Sequence, residues 1–120
     1  MIVLIVGLFG WWKVSTTVPS GKYDQFAQCV AAKGFTMYGA YWCPHCKKEK
    51  ANFGTSFQYV PYVECTEKVD VCTAKGVKGY PTWIQEATTS TSSVPVELSR
   101  YSGELGLEKL SKLTGCELPQ

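Results

Sequence analysis

The chain has 120 residues, with 12 basic and 10 acidic side chains, a net charge of +2 and 45% hydrophobic residues. That length holds one domain of ordinary size, and the apolar share is that of a folded protein rather than a disordered one. The basic residues are scattered apart from Lys47, Lys48 and Lys50, so no basic stripe supports nucleic-acid binding.

Residues 1–12 carry no charged or strongly polar side chain, and Trp11-Trp12 ahead of Lys13 resembles an interfacial boundary. Twelve residues are too few to span a bilayer. Continuing to Pro19 reaches span length, weakened by Lys13 and several hydroxyls. Neither a basic leader nor a small-residue cleavage motif is evident. A membrane anchor or uncleaved signal is therefore expected, with a cleaved signal or a packed element as alternatives. Residues 1–21 read as this segment plus a Ser/Thr/Pro/Gly linker, and residues 22–120 as the folded domain.

Apolar residues at Tyr23, Phe26, Ala27, Val30 and Ala31 keep a helical period and predict a helix over 23–33, ended by Gly34. Residues 35–41 read as a buried central strand. A helix is expected over 43–53, with Gly54 as its C-terminal signal. A strand over 59–64, interrupted by Pro61, and a short helix over 69–75 follow. Strands over 82–86 and 94–101 are expected to form a hairpin through a Thr/Ser-rich loop, 87–93. A final helix over 105–114 ends at Gly115. This order predicts an α/β fold, a βαβ unit followed by a hairpin and a helix, with helices flanking a mixed central sheet. No internal repeat is present.

Cys43-Pro44-His45-Cys46 stands where the central strand gives way to a helix. A helix N-terminus supplies partial positive charge and unpaired N–H groups, so a thiol placed there ionises easily. Cys43 is the candidate nucleophile, framed by Trp42 and Pro44 on its exposed side. Cys46, one turn further in, is the candidate resolving thiol. His45, between them, is placed to stabilise the Cys43 thiolate by charge or N–H donation. The rival readings are an inert disulfide and half of a zinc site. Zinc needs a second ligand pair, but Cys65 and Cys72 have six residues between them and the chain has one histidine. A dithiol switch without metal or cofactor is the reading preferred.

A strand leading to Trp42-Cys43-Pro44-His45-Cys46 and a helix, followed by Gly79-Tyr80-Pro81-Thr82 before a hairpin, resembles the thioredoxin fold. Within it the chain is most similar to the thioredoxin-like domains of bacterial and plant vitamin K epoxide reductase homologues and their stand-alone relatives. The blocks carrying this are 37–46, 62–65, 79–83 and 114–116. The resemblance implies that Pro81 is cis and faces the dithiol, and that Tyr80 offers backbone groups to an extended substrate. A histidine at position 45 resembles the strongly oxidising members and the isomerases, because a stabilised thiolate makes the disulfide a better oxidant. Many members carry a buried acid where this chain has Met37. Glu64 is a candidate replacement, although a solvated residue at a strand end is the simpler reading. Lys47, Lys48 and Glu49 read as the solvated face of the helix, and Phe53 and Trp83 as core.

Six cysteines leave fifteen connectivities open. Within the resembled fold, Cys65 pairs most simply with Cys72 across a short loop, as a staple or an auxiliary redox pair. Cys29, on the first helix, and Cys116, after the last, can adjoin on one face. An even, high cysteine count points to an oxidising compartment. The expected function is that of an extracytoplasmic, membrane-anchored or secreted thiol-disulfide oxidoreductase. It would pass the Cys43–Cys46 disulfide to cysteine-containing proteins and be reoxidised by a membrane quinone-linked partner resembling vitamin K epoxide reductase homologues. Reduction or isomerisation, and a non-catalytic binding module, are the alternatives.

Overall fold

A computed structural model describes residues 21–119 of the chain. Helix α1 (Asp24–Ala32) leads into strand β1 (Phe35–Gly39), helix α2 (Pro44–Phe53) and a 3-10 helix (Gly54–Tyr59). Strand β2 (Tyr62–Glu64), helix α3 (Val69–Ala74), strands β3 (Thr82–Thr89) and β4 (Ser92–Ser102) and helix α4 (Gly106–Thr114) complete it. The sheet order is β2-β1-β3-β4. Strands β1 and β2 are parallel, with Met37 opposite Tyr62 and Gly39 opposite Glu64. The β1–β3 and β3–β4 pairs are antiparallel. The α/β architecture with a mixed sheet is as the order of elements led one to expect.

Strand side chains alternate between the two faces, and the core divides accordingly. Phe35, Met37 and Trp83 point to one face, where Phe26, Ala27 and Val30 of α1, Phe53 of α2 and Leu110 of α4 cover them. Tyr38 and Ile84 point to the other, where Cys65 and Cys72 complete a smaller cluster. A central strand needs apolar residues on both faces, which explains why β1 has almost no polar side.

Strand β1 ends at Gly39 rather than at residue 41, and two further boundaries differ from expectation for a physical reason. The Thr/Ser-rich stretch is not a seven-residue loop: the ladder runs on to Thr89 opposite Ser92, leaving two residues at the turn. Threonine is β-branched and suits a solvent-facing strand, so polarity misreads it as loop. Tyr59 belongs to the 3-10 helix rather than a strand, and β2 starts only after Pro61, whose carbonyl accepts the Met37 N–H at 2.9 Å. The expected anchor or signal, residues 1–20, lies outside the described residues. Among the described residues, no helix is long and apolar enough to cross a membrane.

Candidate active site

The end of β1 delivers the first cysteine to the start of α2. The Cys43 N–H bonds to the Ala40 carbonyl at 3.1 Å, and its own carbonyl accepts the first helical N–H, that of Lys47, at 3.0 Å. Cys43 is thus the N-cap residue, with extended backbone, and not a residue of the first turn. Pro44 follows at the first helical position, where its missing N–H costs nothing and its fixed φ suits the helix. The Cys43 side chain makes no cap hydrogen bond; its thiol points to the Tyr80 carbonyl, Sγ to O 3.6 Å.

An exposed nucleophile was expected, but Cys43 is only 5% exposed. Trp42 and Pro44 are themselves exposed, and the Trp42 ring meets the Tyr80 ring edge-on at 6.0 Å beside the thiol. Cys46 is fully buried. Burial pushes the Cys46 thiol up to about 12; hydrogen bonding to Cys43 and its charge add to this, while the Ala40 backbone and Lys50 act against it. A side chain at position 39 would collide with this thiol, since a Cβ there would stand 2.9 Å from Cys46 Sγ.

Opposite the dithiol, the Tyr80–Pro81 peptide bond is cis. Tyr80 is half-buried and Pro81 fully buried. Thr82 Oγ1 donates to the Gly79 carbonyl at 2.7 Å, and the Gly103 N–H donates to the Pro81 carbonyl at 2.7 Å. Tyr80 touches both core clusters, so it is held from either face of the sheet. The elements bring Trp42, Cys43, Cys46, Tyr80 and Pro81 together.

His45 was expected to stabilise the Cys43 thiolate. Its side chain is exposed and turned to Glu104, Nδ1 to Oε1 4.0 Å, with Lys48 Nζ 3.6 Å from the other oxygen. Glu104 Oε1 is buried and has no hydrogen-bond partner. Nothing in the sequence pointed to Glu104, which approaches from the loop after β4.

Glu49 corrects the sequence reading outright. It was expected on the solvated face of α2 and is fully buried. Its Oε2 accepts from Trp83 Nε1 at 3.1 Å and from the Leu105 N–H at 2.7 Å, and its Oε1 from the Gly106 N–H at 2.9 Å. The carboxylate therefore caps the start of α4 and ties that helix to the active-site helix. The signal was available: Cys46, Glu49 and Phe53 share one helical face. Met37 is fully buried beside these groups and brings no proton-carrying atom. Glu64 accepts from the Tyr62 hydroxyl at 2.9 Å and the Thr66 hydroxyl at 2.8 Å.

Four cysteines are paired, Cys29 with Cys116 and Cys65 with Cys72, whereas Cys43 and Cys46 carry free thiols. Among the described residues, no group of three or more His, Cys, Asp or Glu could hold a metal ion.

A thioredoxin from Plasmodium falciparum superposes with a TM-score of 0.52 at 21% identity, covering 72% of each chain. The fold is thioredoxin-like. No family model matches this thioredoxin-like chain. It is 33% identical over 96 residues to the thiol-disulfide oxidoreductase LTO1 of Arabidopsis thaliana, covering 72% of this chain and 23% of the relative. It is also 33% identical over 86 residues to the protein disulfide isomerase-like 2-2 of Oryza sativa, covering 63% of this chain and 21% of the relative. The chain thus spans under a quarter of the length of these curated relatives.

Proposed function

We propose that this thioredoxin-like chain is a thiol-disulfide oxidoreductase domain acting on cysteine-containing proteins. The observation that carries this reading is the free Cys43–Cys46 dithiol facing the Tyr80 carbonyl and Pro81 while all four other cysteines are paired. In the oxidising direction, a substrate thiolate attacks Cys43 Sγ, the Cys43–Cys46 bond breaks, and Cys46 leaves with the electron pair. A second substrate thiolate then attacks the substrate sulfur of the mixed disulfide and releases Cys43 as a thiolate. Two electrons pass to the protein and one disulfide to the substrate. Tyr80 and Pro81 form the wall against which extended substrate lies, and Trp42 and Pro44 frame its approach.

We place this activity outside the cytoplasm, with a quinone-linked membrane oxidase resembling vitamin K epoxide reductase homologues as the reoxidant. Support comes from the two paired disulfides, which suit an oxidising compartment, from the apolar residues 1–12 and from the resemblance of blocks 37–46, 62–65, 79–83 and 114–116 to that family.

Refolding of a reduced client protein tests the reading. The intact protein should accelerate disulfide formation, and Cys43→Ser should abolish it; no exchange by the intact protein sinks the proposal and favours a binding module. Equilibration with glutathione decides direction. A potential near that of thioredoxin, about −270 mV, would overturn the oxidase version and favour reduction. Trapping with Cys46→Ser should capture clients and the reoxidising partner as mixed disulfides.

A further inference from the structure

Cys46 has to give up a proton when it attacks and take one when it leaves, yet the thiol is sealed from water. The space next to it is shaped by Gly39. A Cβ on that residue would lie 2.9 Å from Cys46 Sγ, 3.1 Å from Tyr62 Cε2 and 3.3 Å from the Tyr62 hydroxyl. Thiol and phenol thus border the same small gap on β1, left open because residue 39 has no side chain. Tyr62 reaches this gap because β2 pairs parallel with β1, setting it beside Met37.

The phenol is already polarised. Its hydroxyl donates to Glu64 Oε1 at 2.9 Å, which leaves the oxygen lone pairs free to accept. The other Glu64 oxygen accepts from the Thr66 hydroxyl at 2.8 Å and the Thr66 N–H at 3.3 Å. Lys50, one turn beyond Cys46, holds its ammonium 3.9 Å from the centre of the Tyr62 ring. Burial raises the Glu64 carboxyl, but the Thr66 and Tyr62 hydrogen bonds and the Lys50 charge bring it below its ordinary value, so it is ionised at neutral pH. Burial and the Glu64 contact hold the Tyr62 phenol far above its ordinary range, so the phenol stays protonated at neutral pH. The charged or titratable groups around the hydroxyl are Glu64, Lys50, Cys46 and Cys43.

We propose that Tyr62 and Glu64 form the proton relay of the resolving thiol, across the gap at Gly39. The proposal rests on the redox reading of Cys43 and Cys46 and adds the residues that complete its second step. As Cys46 Sγ attacks Cys43 Sγ of a mixed disulfide, its proton passes to the Tyr62 oxygen and the Tyr62 proton to Glu64. The Cys43–Cys46 bond forms, the bond from Cys43 to the substrate sulfur breaks, and the substrate leaves as a thiolate. The proton on Glu64 then goes to solvent or to that thiolate. No external oxidant or reductant enters this step. In the oxidising direction the same path runs backwards and protonates Cys46 as it departs. Glu64 is a weak base, so transfer accompanies S–S bond formation rather than preceding it. General base assistance of this kind is worth about 10²–10⁴-fold in rate.

The experiment separates the two steps. Reduced protein is mixed with oxidised glutathione, and the glutathionylated Cys43 and its release by Cys46 are followed by acid quench and mass spectrometry. The first step alone is timed in a Cys46→Ser background. Tyr62→Phe and Glu64→Gln should each slow release about 10²-fold or more relative to the first step timed in the same variant. Release by the unmodified protein should also slow as pH falls through the Glu64 range, a limb that Glu64→Gln should lack. Unchanged release in Glu64→Gln overturns the relay. That variant keeps the Tyr62 ring and hydroxyl, so it decides alone if Tyr62→Phe fails to fold. Absence of any mixed disulfide at Cys43 in the Cys46→Ser protein overturns the redox reading and the relay with it, which distinguishes the two failures.

Discussion

On one face of the sheet, Phe26, Val30, Phe35, Met37, Phe53, Trp83 and Leu110 pack under three helices, with the Cys29–Cys116 disulfide in the same cluster. On the other, Tyr38 and Ile84 have only Cys65, Cys72 and a few half-buried neighbours, including Val63 and Val77. The first face buries most of the large apolar side chains. The second buries few, and the Cys65–Cys72 disulfide is part of its cluster. Tyr80 packs on both, so the wall of the active site depends on the thin face as well as the thick one. Stability and site geometry are thereby unequally shared between the two faces.

Breaking the comparison on the thick face should have the largest effect. Cys29 and Cys116 are separated by 87 positions, and loss of that long loop constraint costs about 4.6 kcal/mol in the loop-entropy model. Cys29→Ala with Cys116→Ala should lower denaturant stability by about that much while exchange at Cys43, assayed below the shifted midpoint, persists. Next comes Glu49→Ala, which strips the partner from three N–H donors at once and should cost about 3 kcal/mol by urea unfolding. A wild-type midpoint in that variant would refute the capping role.

On the thin face, Cys65 and Cys72 are only 7 positions apart, and removing the pair costs about 2.5 kcal/mol in the same model. Here the informative result is the split: Cys65→Ala with Cys72→Ala should reduce exchange at Cys43 more than its stability loss explains, because Tyr80 loses support. Equal activity in both disulfide variants would erase the contrast between the faces. The smallest effect concerns Glu64. Its folded carboxyl sits below the ordinary value, so its contribution is present above about pH 4.5 and fades as pH falls through the folded value. The thermal midpoint of Glu64→Gln should therefore depend less on pH below that point than the unmodified protein's does.

Local patterns made much of this legible. The 3.6 period of α1, the two-sided apolar run of β1, Pro44 ahead of a helix and Gly115 in left-handed conformation after α4 each express a rule acting over a few residues. In the hairpin, threonine's polarity suggests a loop, whereas its branching favours the strand that forms. At Glu49 the charge suggests solvent, although its spacing from Cys46 and Phe53 puts it on the buried face.

By itself, the sequence determined where the dithiol lies, what precedes and follows it, and that Pro81 stands ahead of a strand. Those features depend on neighbours in the chain. Only the tertiary structure decided that Glu49 meets Trp83 and the start of α4, that Glu104 faces His45, and that Tyr62 shares a gap with Cys46. Each of these joins segments far apart in the chain, and the register of β1 against β2 or the seating of α2 on the sheet selects the partner. A buried carboxylate or thiol is governed by what surrounds it in space, because burial removes the water that would otherwise satisfy it.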